Sequence, residues 1–169
     1  NGSTSPFVTG VVPTPGGNQA PRQMANFKYS VKVPDFLPNG VTQLSWAGPS
    51  LNFTDTNGSH TNTNVEVNTI AIQNLPNIQS FTISPTQSRY KLGDVINFTI
   101  VGAPGKAAKV EIGTTVVPMP GNGTYTGSYT VGSGDSFVNV APRAFLVNTN
   151  NTGAYLDGSA ITIDGIIPP

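Results

Sequence analysis

Nineteen glycines and fifteen prolines are scattered through these 169 residues, and that scatter limits the fold more than any other feature. Glycine weakens a helix interior and proline breaks it. No window longer than about ten residues combines freedom from these breakers with apolar residues at i, i+3, i+4 and i+7. Alternation with period two recurs instead. Phe27, Tyr29, Val31 and Val33 alternate with Lys28, Ser30 and Lys32, which predicts a half-buried strand ended by Pro34. Further strands are expected at 41–47, 50–54, 64–72, 78–84, 94–101, 107–113, 115–119, 123–131, 137–147 and 159–166. Turn chemistry separates them, as in Pro38-Asn39-Gly40, Asn57-Gly58, Pro104-Gly105, Pro120-Gly121-Asn122-Gly123 and Asp157-Gly158. Short strands punctuated in this way predict an all-β chain of antiparallel sandwich type.

Asn74-Leu75-Pro76-Asn77 is turn-like and marks an expected boundary. It divides the chain into an N-terminal strand and Pro/Gly linker (1–25), an incomplete β-sandwich region (26–76) and a second sandwich (77–169). From Ile78 onward about seven strands fit in about 90 residues, the strand density of an immunoglobulin-like domain. The segments Ser80-Phe81-Thr82-Ile83-Ser84-Pro85, Lys91-Leu92-Gly93-Asp94, Val110-Glu111-Ile112-Gly113 and Gly123-Thr124-Tyr125-Thr126-Gly127-Ser128-Tyr129-Thr130-Val131 carry a resemblance. They resemble the repeating Ig-like modules of prokaryotic surface proteins, over a little more than half the chain. That resemblance implies a spacer or assembly module and no chemistry.

Residues 26–73 supply only four good strands, too few to close two sheets without leaving an edge or an apolar face open. Upstream lies a spare alternating piece, Ser5-Pro6-Phe7-Val8-Thr9-Gly10-Val11-Val12-Pro13, followed by the linker Pro15-Gly16-Gly17-Asn18-Gln19-Ala20-Pro21. It has two destinations. It can fold back on its own chain, or it can complete the sheet of another copy by β-strand addition, with Phe7, Val8, Val11 and Val12 as apolar plugs. Head-to-tail donation does not close on itself, so repetition gives an open filament.

Charge narrows the partners. Asp, Glu, Lys and Arg make up 9% of the residues, against roughly 25% in ordinary soluble domains. Net charge is zero, which leaves no field to hold a nucleic acid. The 17 Asn, 13 Ser and 20 Thr take over solvation. There is no cysteine, hence no disulfide, thiolate metal site or thiol nucleophile. No apolar run approaches the ~18 residues of a membrane span. The opening Asn1-Gly2-Ser3-Thr4 is unlike a signal peptide, and the expectation is a mature chain.

Six N-glycosylation sequons start at Asn1, Asn52, Asn57, Asn97, Asn122 and Asn150. This composition would give roughly three by chance. Asn57, Asn122 and Asn150 fall in expected turns, where a sugar projects into water. Asn52 and Asn97 fall on expected strands and need outward-facing side chains.

Catalytic patterns are poor, and the expectation is a protein that is not an enzyme, with no cofactor and no metal. His60, the one histidine, is placed in an expected loop, Asp55 to Asn62, without a second His or Cys. Asp55-x-Asn57-Gly58 starts like a calcium loop, yet its further acidic ligands are missing. Gly102-Ala103-Pro104-Gly105-Lys106 lacks phosphate-loop spacing and reads as a turn. Eight acidic residues, mostly in turns, make a facing carboxylate pair improbable. A Lys–Asn isopeptide bond from Lys28 or Lys32, assisted by Glu66 or Asp35, resembles what some surface sandwiches make; it needs a buried lysine, whereas alternation sets both lysines opposite the apolar face. Aromatics offer a carbohydrate-binding alternative, but Trp46 alternates with Leu44 as core residues do, and Tyr125 and Tyr129 share one strand face, where packing is the default.

With few charges, six sequons, strands only and a spare N-terminal strand, the chain resembles the thread-type pilins of acid-loving archaea in overall character. The resemblance implies an extracellular, N-glycosylated cell-surface subunit whose partners are copies of itself. The other readings are an adhesin-type or carbohydrate-binding β-sandwich and an S-layer-like Ig domain. The long apolar N-terminal helix of type IV pilins is missing.

Overall fold

The computed structural model describes residues 8–13, 27–47, 51–55, 58–62 and 67–166. Among them there is no helix, as the glycine and proline scatter requires. The strands in chain order are β1 (Val8–Pro13), β2 (Phe27–Val31), β3 (Phe36–Pro38), β4 (Gln43–Ala47), β5 (Leu51–Asp55), β6 (Gly58–Asn62), β7 (Val67–Ala71), β8 (Ile78–Ser84) and β9 (Arg89–Lys91). They continue with β10 (Val95–Gly102), β11 (Ala107–Ile112), β12 (Thr115–Pro118), β13 (Gly121–Asn122), β14 (Thr124–Thr130), β15 (Ser136–Val140), β16 (Arg143–Val147), β17 (Gly153–Asp157) and β18 (Ile161–Asp164). The chain divides into two compact units, one of residues 1–34 and 45–69, the other of 35–44 and 70–169.

In the first unit β1 pairs with β2 and β5 with β6, both antiparallel. Each of these sheets is two strands wide among the described residues. β4 and β7, each with residues assigned to both units, pair as a two-stranded ribbon. β6 corrects the expected loop at 55–62. His60 is a strand residue opposite Phe53, in an antiparallel pair whose register runs to Asp55 opposite Gly58.

The second unit holds a four-stranded sheet in the order β13-β14-β10-β8, a five-stranded sheet β12-β11-β16-β17-β3 and a three-stranded sheet β15-β18-β9. Most pairings are antiparallel; β3 on β17 and β9 on β18 are parallel. Alternation explains how the sheets meet. β10 buries Ile96, Phe98 and Ile100, all 0% exposed, while Asn97 between them faces out. These side chains share one core with Val110, Ile112, Ala144, Leu146 and Ala154 of the five-stranded sheet and Tyr90, Ile161 and Ile163 of the three-stranded one. Inner faces meeting over a common apolar layer fit a β-sandwich.

Besides β6, and β3 which the sequence reading also lacked, other elements differ from that reading. The expected strand 137–147 is two strands in two sheets, because Pro142 lacks the N–H that would continue a ladder. β17 and β9 were not expected. β17 begins Gly-Ala with both residues buried, which breaks alternation, and β9 is only three residues long.

The division between units also differs from a boundary at 76/77. Residues 35–44 belong with the C-terminal strands because β3 extends the five-stranded sheet at β17. Asn39 clasps β8 as a peptide group would: its Nδ2 donates to Ile78 O at 2.7 Å and its Oδ1 accepts from Ile78 N at 2.8 Å. The expected turn at Pro38-Asn39-Gly40 is present, with Gly40 at φ 82°.

Candidate glycan-bearing face

The outer face of the four-stranded sheet follows from the register of its strands. Ser84 of β8, Asn97 of β10 and Ser128 of β14 form one row; Thr82, Thr99 and Thr126 form the next; Ser80, Val101 and Thr124 form a third. Val95 opposite Thr130 completes the face. Because each strand puts apolar residues in its inward phase, the outward phase of all three coincides. The result is a surface paved with hydroxyls, without one charged residue in β8, β10, β13 or β14. Thr82, Ser84, Thr124, Thr126, Ser128 and Thr130 are exposed, and Ser80 and Thr99 are half-buried.

Charges are found on the other sheets. Arg89 pairs with Asp164 on the three-stranded sheet; Lys109 with Glu111 at 2.6 Å and Arg143 with Asp157 at 2.6 Å lie on the five-stranded one. The Arg143 guanidinium also stacks 4.1 Å from the Tyr155 ring centroid. Its pKa is raised, first by the bond to Asp157. These are surface pairs, whose usual contribution is about 0–1 kcal/mol.

Three sequons have described side chains, and all three asparagines are exposed. Asn97 stands on the hydroxyl face between Ser84 and Ser128, so its strand position does turn outward. Asn122 lies in β13, and its Oδ1 accepts from Gly105 N at 2.6 Å. Asn150 lies in the turn joining β16 to β17, where its Oδ1 accepts from Thr152 Oγ1 at 2.8 Å and from Thr152 N at 3.3 Å. A glycan is attached through Nδ2, so neither set of bonds uses the atom that would carry sugar. Asn1 and Asn57 lie outside the described residues; Asn52 is placed in β5 opposite Thr61.

Of the donor residues, Phe7 lies outside the described residues. Val8 is paired with Val31, Val11 with Tyr29 and Val12 with Lys28, with a bulge between Val8 and Gly10. The bulge shifts the count by one, so Val8, Val11 and Pro13 take the register positions that oppose Val31, Tyr29 and Phe27. The apolar alternation of β2 thereby meets the apolar positions of β1. Val12 falls on the other set, across from Lys28.

Among the described residues, the remaining candidates do not assemble into a chemical site. Tyr125 is fully buried and donates its hydroxyl to Ala103 O at 2.8 Å, which ties down the turn at Pro104-Gly105. Tyr129 packs against the core and donates to the Asp135 carboxylate, which also accepts from Gly132 N at 2.6 Å. Burial, then the bond to Asp135, pushes the Tyr129 phenol up to about 12. The same hydroxyl, then the Gly132 N–H, lowers Asp135. Lys32 is exposed, which removes the burial an isopeptide bond requires there; Glu66 lies outside the described residues. Lys28 is placed in β2, Trp46 in β4 and Asp55 in β5. No group of three His, Cys, Asp or Glu among the described residues is placed to hold a metal ion.

Sequence reasoning missed the hydroxyl face as a single object. Its local signal is the run Thr124-x-Thr126-x-Ser128-x-Thr130, but the rows exist only once β8 and β14 flank β10. Comparison of this chain with protein-family models, curated proteins and solved structures finds no match.

Proposed function

We propose that the chain is an extracellular, N-glycosylated structural subunit of a surface filament, and that neighbouring copies join by donating β1. The observation that carries this reading is the β1–β2 register, which matches apolar positions with apolar positions in a sheet only two strands wide among the described residues. Such a pairing specifies which sequence β2 accepts, not which copy supplies it. Residues 14–26 connect the two strands and can span at most about 45 Å when extended, so exchange between copies needs no new contact. Supporting features are the charge-free hydroxyl face, the three exposed sequon asparagines and the Ig-like strand density of residues 77–169. The carbohydrate-binding alternative loses two of its candidate aromatics, because Tyr125 is buried and Tyr129 is packed and bonded.

Removing residues 1–13 tests the proposal. The full chain polymerises, seen by electron microscopy and light scattering; the truncated chain stays monomeric and a peptide of residues 1–15 binds to it. Filaments formed by the truncated chain would refute strand donation. A double change Val8→Asp/Val11→Asp acts as the truncation does, whereas Val12→Asp, on the opposite register set, leaves assembly largely intact.

A further inference from the structure

We infer that the sequons are modified in two different windows, Asn97 before its sheet closes and Asn150 after folding as well. This rests on the reading of the chain as an N-glycoprotein. The chemistry of transfer sets the requirement. Asn Nδ2 attacks the anomeric carbon of a glycosyl-phosphate donor, a C–N bond forms, the C–O bond to phosphate breaks, and the phosphate leaves with the electron pair while Nδ2 gives up one proton to a base. An amide nitrogen is a poor nucleophile because its lone pair is delocalised into the carbonyl. A transferase must therefore grip the sequon closely, on backbone as well as side chain, and bend it around the donor.

Water reaches Asn97 in the folded chain, but an enzyme cleft does not reach its backbone. β10 is hydrogen-bonded along both edges, with Asn97 paired to Ser128 on one side and Ser84 on the other. Its neighbours Ile96 and Phe98 are 0% exposed. Freeing the sequon means breaking two ladders and unpacking the centre of the core, which approaches global unfolding. Asn150 is the opposite case. It sits in a turn with exposed Asn151 at φ 62°, and the sequon is already bent, with the Thr152 hydroxyl and amide drawn to Asn150 Oδ1.

The test uses the full chain made without sugar, a purified N-glycosyltransferase and its glycosyl-phosphate donor, with occupancy read site by site by glycopeptide mass spectrometry. In the urea-unfolded, diluted chain both asparagines are modified; in the folded chain Asn150 keeps its rate and Asn97 falls at least about tenfold. Equal modification of Asn97 in folded and unfolded chain overturns the inference. Should the sugar-free chain not fold, a pulse-chase in a glycosylating host decides: occupancy of Asn97 stops rising once the chain resists protease, while that of Asn150 continues. A later rise at Asn97 overturns it. The underlying reading fails separately, if secreted chain carries no sugar at any sequon while transfer in vitro still follows the folding state.

Discussion

Three side chains make ties that backbone usually makes. Asn39 pairs with both the N–H and the C=O of Ile78. Asn39→Asp keeps the acceptor but sets a carboxylate oxygen against Ile78 O, and is expected to lower unfolding free energy by about 1–3 kcal/mol in urea melts. Tyr129 and Asp135 hold the β14–β15 turn through a bond that responds to pH at both ends. The folded state keeps the Tyr129 proton more tightly than the unfolded state, so this contribution is whole below pH 10.0 and is lost as pH rises through about 12. Asp135 is lowered from 3.8, so its contribution is whole above that value and is lost as pH falls below it. The stability difference between wild type and Tyr129→Phe, measured as urea midpoints, is therefore constant from about pH 5 to 9 and shrinks towards both extremes.

Among the elements, β3 is the least expected. Only three residues long and parallel to β17, it buries Leu37 to 5% exposure while Phe36 packs edge-on against Phe145 at 5.2 Å. A peptide of residues 35–44 is expected to bind a fragment of residues 70–169 and raise its melting temperature, by about 2.7 kcal/mol of stability at a hundredfold excess over Kd. No shift would mean that β3 contributes little to the sheet. β10 gives the contrasting case: Phe98→Ala, at a fully buried ring stacked on Phe81, is expected to cost about 3–5 kcal/mol. The two differ in how far the sequence announces them. β2, β8, β10 and β14 were legible because alternation over five or more residues is a local signal of a half-buried strand. β3 and β9 are too short to show a period, and β17 opens on Gly153-Ala154. Gly153 has no room for a side chain, since an added Cβ would lie 2.1 Å from Leu146 O. That constraint is tertiary. The sequons were equally legible, as were the strand position of Asn97 and the turn position of Asn150, but the pairing of β10 along both edges was not, because it depends on which strands become neighbours.

At the scale of the whole chain, sixteen charged residues among 169 leave few groups whose titration can destabilise the fold. The expected outcome is a melting temperature that changes little between pH 7 and 4, with a gradual decline below that as carboxylates such as Asp135 protonate. A sharp collapse below pH 4 would contradict this expectation. The hydroxyl face carries this logic into the space between molecules. Two such faces approaching each other meet no charge barrier of the kind that salt screens. Hydration of the exposed hydroxyls, and the girth of any sugar on Asn97, would then set how near they come. The closest approach of two such faces would be a steric length, the same in acid or brine as in dilute neutral buffer.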